Sequence, residues 1–218
     1  MVEVSKKIKI SPSVLSLPLA SIPEELHEIQ DVIDFVHIDV MDGKFVTNIT
    51  DGIGMFQMVK ENCDLPLDVH LMVDNPINEI PKYCGATMIT FHREAVETLE
   101  EAKQLIHEIK QLNAKAGISI KPNTPVAMIQ ELIKEVDLIL IMTVEPGYGG
   151  QKLIRETLNK IKDLRNIGFM KWIEVDGGIH TENANLVREM GADILVSGTA
   201  IFSAKDKKRT IEELKGNK

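Results

Sequence analysis

The stretch "SPSVLSLPLAS", residues 11–21, follows the first strand-like run and contains no glycine. That absence separates two folds. Short β-rich runs alternate with helix-like stretches along the whole chain, and such alternation implies a parallel sheet with crossover helices. An open, doubly wound sheet usually begins with a glycine-rich turn after its first strand. Here that turn has none, so a closed sheet is expected instead.

Working outward, the strand-like runs are residues 8–14, 35–40, 67–72, 87–91, 115–120, 138–143, 172–175 and 194–196. Eight units in 218 residues give about 27 residues each, near the size of a minimal βα repeat. Eight such repeats predict a (β/α)₈ barrel. No linker-like composition interrupts them, so residues 1–218 are expected to form one domain. The helix-like stretches carry their own signals. Over residues 93–112, Ala95, Leu99, Ala102, Leu105, Ile106 and Ile109 recur at helical spacing. "TPVAMIQELIKEV" predicts a helix capped by Thr124, with Pro125 at its first position. "RETLNKIKDLRNIG" ends on Gly168, a normal helix stop.

Composition excludes several classes. Charged residues make up 27% and apolar residues 44%, as in ordinary globular chains, and no apolar run is long enough to span a bilayer. The N-terminus "MVEVSKKIKISPSVLS" lacks a secretory-signal layout, so a cytoplasmic protein is expected. A net charge of −8 argues against nucleic acid or an anionic membrane as partner. It leaves room for a phosphorylated small molecule, because backbone N–H groups bind phosphate whatever the net charge. Cys63 and Cys84 fit no disulfide or metal spacing. The basic C-terminal stretch "KDKKRTIEELKGNK" reads as a solvated helix.

The strands carry the chemistry. In "FVHIDVMDG", residues 35–43, Val36, Ile38 and Val40 share one face, while His37 and Asp39 share the other. "LDVHLMV" repeats this with Asp68 and His70, and "WIEVDGG" with Glu174 and Asp176. In a barrel the aliphatic face packs on the helices and the polar face points inward. His37, Asp39, His70 and Asp176 are therefore candidates to converge at the C-terminal mouth, where barrel active sites form. Two imidazoles and two carboxylates suit one divalent ion such as Zn²⁺, Fe²⁺, Mn²⁺ or Co²⁺. A lone strand histidine is more often a hydrogen-bonded core residue, but three strands in the same phase make chance a poorer account. Two carboxylates can also serve as base and acid on opposite faces of one carbon, with the metal stabilising an enediolate. Of the remaining histidines, His27 and His107 read as surface, His180 as loop, and His92 as inward-facing with no partner evident from sequence.

Glycines cluster after the last three strands. "MTVEPGYGGQ" holds Gly147, Gly149 and Gly150; "DGGI" holds Gly177 and Gly178; "SGTAIF" holds Gly198, followed by Thr199. Glycine lets backbone N–H groups turn towards an anion, and loops after the seventh and eighth strands are frequent phosphate sites in barrels. Each cluster alone also reads as a plain turn.

These stretches, with "SPSVLS", "HIDVMDGKFV", "DVHLMV", "TFHREA", "GISIKPNTPV", "EVDGGI" and "VSGTAIF", resemble the ribulose-phosphate 3-epimerase family in order, from about Lys9 to Phe202. The resemblance implies a ribulose-phosphate-binding TIM barrel using one divalent metal. It implies His37, Asp39, His70 and Asp176 as metal ligands, and Asp39 and Asp176 as the acid/base pair. It implies substrate contacts from Ser13, His70, Gly147, Tyr148, Gly149, Gly150, Gly177, Gly178, Gly198 and Thr199, with Met41, Met72 and Met142 lining the pocket. A homo-oligomer is also implied. The chain departs from the family's usual pattern at Leu17, Pro18, Thr47 and Thr199, which border the pocket or a covering loop.

The resemblance implies 3-epimerisation of D-ribulose 5-phosphate to D-xylulose 5-phosphate, a step of pentose phosphate metabolism. A hexulose 6-phosphate such as D-allulose 6-phosphate is the close alternative. Decarboxylases and hexulose-phosphate synthases on this barrel carry a D-x-K-x-x-D run. The corresponding Asp39-Val40-Met41-Asp42 has no lysine, which argues against that chemistry. A non-catalytic phosphosugar sensor needs no pair of carboxylates.

Overall fold

The computed structural model describes residues 7–217; the first residues of the N-terminal stretch read above lie outside them. Eight strands form one parallel sheet: β1 (Lys9–Ser11), β2 (Val36–Met41), β3 (Leu67–Met72), β4 (Met88–His92), β5 (Lys115–Ile120), β6 (Leu138–Met142), β7 (Trp172–Asp176) and β8 (Ile194–Val196). Their order is β1-β8-β7-β6-β5-β4-β3-β2. The two ends of that series meet. The His37 amide donates to Pro12 O at 2.9 Å, and Ser13 bridges His37 in parallel register. The sheet is thus a closed barrel, as the glycine-free first turn predicts. Strand β1 is shorter than the sequence suggests. Pro12 has no N–H to offer the ladder, and the chain turns into a short 3₁₀ segment at Val14–Ser16.

Helices cover the outside: α1 (Ile22–Ile29), α2 (Gly52–Asn62), α3 (Pro76–Glu79), α4 (Leu99–Gln111), α5 (Asn159–Asn166), α6 (Thr181–Glu189), α7 (Thr199–Phe202) and α8 (Lys207–Lys215). Two expectations shift. Helix α4 begins at Leu99 rather than near Arg93, because Thr98 and Glu101 form a reciprocal capping box. The β5–β6 connection is a 3₁₀ segment, Val126–Leu132, without a side-chain cap. Thr124 is not that cap; its hydroxyl donates to Glu94 instead. Helix α8 is also more than a solvated face. Ile211 and Leu214 are buried, and Lys207 pairs with Glu25 at 2.8 Å on α1, which ties the end of the chain to its beginning.

The alternation of strand side chains divides the barrel into an apolar shell and a mixed interior. Val36, Ile38, Val40, Val69, Leu71, Ile89, Phe91, Ile139, Ile141, Ile173 and Val175 face outward and join one cluster with helix residues such as Leu26, Phe56, Leu105, Ile109 and Leu164. Burying each such side chain contributes about 1.5–3 kcal/mol. Phe91 is wholly buried in that shell. Phe91→Ala is expected to destabilise the fold by about 3–5 kcal/mol, through lost burial and the cavity left behind. A urea titration reading the midpoint at unchanged slope checks this.

Inside, Phe35, Met88, Leu138 and Ile194 close the N-terminal end, with Trp172 edge-on to Phe35 at 5.7 Å. Above this floor the interior becomes polar. Ser11, His37, Asp68, Thr90, Ser119 and Glu174 are all fully buried. An apolar shell strong enough to hold the barrel lets the middle layer carry groups that cost stability, and those groups support the site above them.

Candidate active site and metal centre

Strand register explains the site. Strand β2 runs beside β3 with His37 opposite Asp68 and Asp39 opposite His70. Asp176 ends β7. One ligand atom from each of His37, Asp39, His70 and Asp176 lies within 4.8 Å of the others. His37 Nε2 is 3.5 Å and His70 Nδ1 3.4 Å from Asp39 Oδ1, and His70 Nδ1 is 3.9 Å from Asp176 Oδ2.

Two features show that the donors fit a cation. His37 Nε2 and His70 Nδ1 are both buried and lack a hydrogen-bond partner. A buried, unsatisfied polar atom is costly, and here two of them face the same carboxylate. Each imidazole is also held from behind. His37 Nδ1 lies 2.6 Å from Asp68 Oδ2, which accepts a further hydrogen bond from Ser11 Oγ at 3.0 Å. A carboxylate there fixes the ring orientation and leaves Nε2 for a metal. Four mixed N and O donors of this kind suit a divalent transition ion.

Electrostatics separate the two aspartates. Burial alone would raise the Asp39 pKa, but the His37 and His70 rings hold it well below the usual carboxylate range. The Ser13 hydroxyl also donates to Asp39 Oδ2 at 2.6 Å. Asp176 goes the other way: burial, then the neighbouring Asp39 charge, pushes it up to about 6. Below them, burial and Asp68 raise Glu174 well above its ordinary value. Burial opposes a charged His37, yet Asp68 and Asp39 more than offset it and raise its pKa.

A cavity of about 600 Å³ opens above these groups. Ser13, Met41, Met72 and Met142 line it beside Asp39 and Asp176. The same cavity is lined by Gly147, Tyr148, Gly149 and Gly150, by Gly177 and Gly178 directly after Asp176, and by Gly198 and Thr199. Among the described residues, no lysine or arginine lines it. An anion bound at the glycine rim would therefore draw on backbone N–H groups and on the hydroxyl, amide and imidazole side chains around it. At Gly178 the chain needs glycine twice over. Its φ is +66°, and a Cβ would come within 2.6 Å of the Gln151 carbonyl oxygen. Tyr148 is 58% exposed at the rim, with its hydroxyl 2.7 Å from Thr47 Oγ1.

Residues 9–202 match the family model described as the Ribulose-phosphate 3 epimerase family. The chain belongs to the ribulose-phosphate 3-epimerase family. It is 43% identical to the ribulose-phosphate 3-epimerase of Bacillus subtilis, over 97% of this chain and 100% of that one. It is 42% identical to the chloroplastic ribulose-5-phosphate-3-epimerase of Arabidopsis thaliana, over 97% of this chain and 77% of that one. Among solved structures it resembles 3-hexulose-6-phosphate synthase from Salmonella typhimurium. The TM-score is 0.74 and the identity 15%, covering 96% of this chain and 97% of that one. At that identity the likeness bears on the fold alone.

For this member of the epimerase family, sequence reading named the four converging groups, the glycine rim, Ser13 and the pocket methionines, but gave Asp68, Glu174, Asn48, Gln151 and His180 no role. Asp68 and Glu174 share the inward phase of the ligand strands, and that phase was the available signal for them. Asn48, Gln151 and His180 also line the cavity. They stand on loops or at a helix start, where no periodicity marks direction. His27 and His107 are on the surface, as expected. Cys63 and Cys84 are free, and Cys84 is exposed. No described helix is long and apolar enough to cross a membrane.

Proposed function

We propose that the chain interconverts D-ribulose 5-phosphate and D-xylulose 5-phosphate by inversion at C3. One observation carries this reading. Buried Asp39 and half-buried Asp176, of opposite pKa displacement and on different strands, line one cavity together with three glycine-rich loops. Pairs of titratable groups pushed apart in this way mark acid and base. The phosphate belongs at the rim, where backbone N–H groups can take it.

His37, Asp39, His70 and Asp176 would hold one divalent cation. Bound there, it supplies Lewis-acid stabilisation to negative charge developing on the substrate oxygens. The chain's own residues then move the proton. The ionised aspartate takes the C3 proton and leaves an enediolate. The protonated aspartate delivers a proton to the other face of C3. The two carboxyls exchange protonation states in each turnover, and exchange with solvent resets them. Ser13 keeps Asp39 oriented through its hydroxyl. Met41, Met72 and Met142 offer an apolar wall that limits water around the enediolate.

A cytoplasmic location is part of this proposal. The chloroplastic name of the Arabidopsis relative belongs to that protein.

Incubating purified protein with D-ribulose 5-phosphate in D₂O tests the chemistry. Deuterium at C3 of both epimers, read by NMR, is expected. Binding without exchange would leave a sensor and end the reading. Turnover of a hexulose 6-phosphate with none of the pentulose would move the substrate and keep the mechanism.

A further inference from the structure

His70 reaches the metal position with Nδ1, and its other nitrogen does not end on a carboxylate as that of His37 does. His70 Nε2 lies 2.9 Å from His92 Nε2, with the ring centroids 4.9 Å apart. His92 Nδ1 lies 3.2 Å from Glu94 Oε2. The other Glu94 oxygen, Oε1, accepts from the Lys121 amide at 2.8 Å and from the Thr124 hydroxyl. Lys160 donates to the Lys121 carbonyl oxygen at 2.7 Å. His70 and His92 are fully buried.

With both rings neutral, the hydrogen count leaves one arrangement. Two imidazole nitrogens facing at 2.9 Å share one proton. If His92 donated it, His92 Nδ1 would turn a lone pair towards the Glu94 carboxylate, setting two acceptors against each other. With the proton on His92 Nδ1, that contact becomes a hydrogen bond. His92 Nε2 then accepts from His70 Nε2–H, and His70 Nδ1 keeps its lone pair towards Asp39 and Asp176.

We infer that Glu94 and His92 are positioning residues that act through His70: a carboxylate–imidazole–imidazole relay sets the His70 tautomer and so makes Nδ1 a metal ligand. The inference rests on the proposed metal site. It gives a function to the inward-facing His92, and it explains why Thr124 turns to Glu94 rather than capping the segment after it. The two histidine ligands are thus set by separate carboxylates, one directly through Asp68 and one through a second ring.

Glu94→Gln inverts the relay with almost no change of shape. The Lys121 amide and the Thr124 hydroxyl are donors, so they select the amide oxygen. The NH₂ group then faces His92 Nδ1 as a donor, which moves the His92 proton to Nε2 and the His70 proton to Nδ1.

Metal-free full-length protein is titrated with Zn²⁺ against a competing chelator, with the exposed Glu97→Gln as control. Glu94→Gln is expected to weaken Zn²⁺ binding by about 10–100-fold, while Glu97→Gln leaves it unchanged. ¹⁵N-histidine spectra of the metal-free wild type are expected to show His70 protonated on Nε2 and His92 on Nδ1, and of Glu94→Gln the reverse. Wild-type affinity in Glu94→Gln, with the His70 tautomer unchanged, overturns the inference. The opposite tautomers in the wild type overturn it even if the variant does not fold. Failure of the wild type to bind Zn²⁺ sinks the metal-site reading instead, and the wild-type tautomers still judge the relay.

Discussion

Asp176→Asn and Asp39→Asn are each expected to lower epimerisation by at least about 10³-fold. General acid–base catalysis contributes about 10²–10⁴-fold, and each aspartate is also one of the four groups gathered within 4.8 Å. Asparagine keeps the shape but carries no transferable proton and is a poorer ligand for a divalent ion. The two variants should also differ. In Asp176→Asn the low-pKa Asp39 is still present, so one epimer is expected to retain slow C3 exchange in D₂O while the other loses it. Asp39→Asn should spare the opposite epimer. Metal content is measured on the same samples, so that ligand loss and proton loss are told apart. Either variant turning over within tenfold of the wild type would remove that residue from its role.

Removal of the divalent ion is the second large effect. Dialysis against a strong chelator until the protein is metal-free is expected to reduce turnover by about 10²–10⁴-fold, since Lewis-acid stabilisation supplies several kcal/mol of barrier lowering. Re-addition of Zn²⁺, Mn²⁺ or Co²⁺ should restore it, to extents that identify the preferred ion. The fold is expected to survive, because the aliphatic shell around Ile38, Val69 and Ile173 does not depend on the site. The thermal midpoint should nevertheless fall, since a ligand bound to the native state alone stabilises it by mass action. Full activity in protein free of metal by elemental analysis would end the metal reading.

Much of the site was legible because its residues sit on strands. His37, Asp39, His70 and Asp176 alternate with aliphatic residues, and that alternation alone turns them inward. The Asp68 and Glu174 layer was equally legible in phase, but its depth was not. Those residues lie below the mouth, where Asp68 meets His37 and Ser11 rather than substrate. His92 was a harder case. Its partners, His70 and Glu94, lie 22 residues before it and two after it. No sequence pattern says that a ring on one strand will face a ring on the next. Thr124 misled for a related reason. A threonine before proline suits a helix cap, but here the hydroxyl donates to the Glu94 carboxylate, which comes from a distant part of the chain.

The amino-acid sequence alone determined the number of βα units, the face each strand side chain presents and the loops rich in glycine. Those are consequences of local geometry: the pleat alternates every residue, and glycine frees the backbone where it stands. The tertiary structure alone decided which inward groups meet. Strand stagger and ring closure place His37 beside Asp68, bring Asp176 of β7 towards His70 of β3, and carry Glu94 to Thr124. Such meetings between distant segments depend on the sum of all the pairings around the barrel, and no single stretch of the chain encodes that sum.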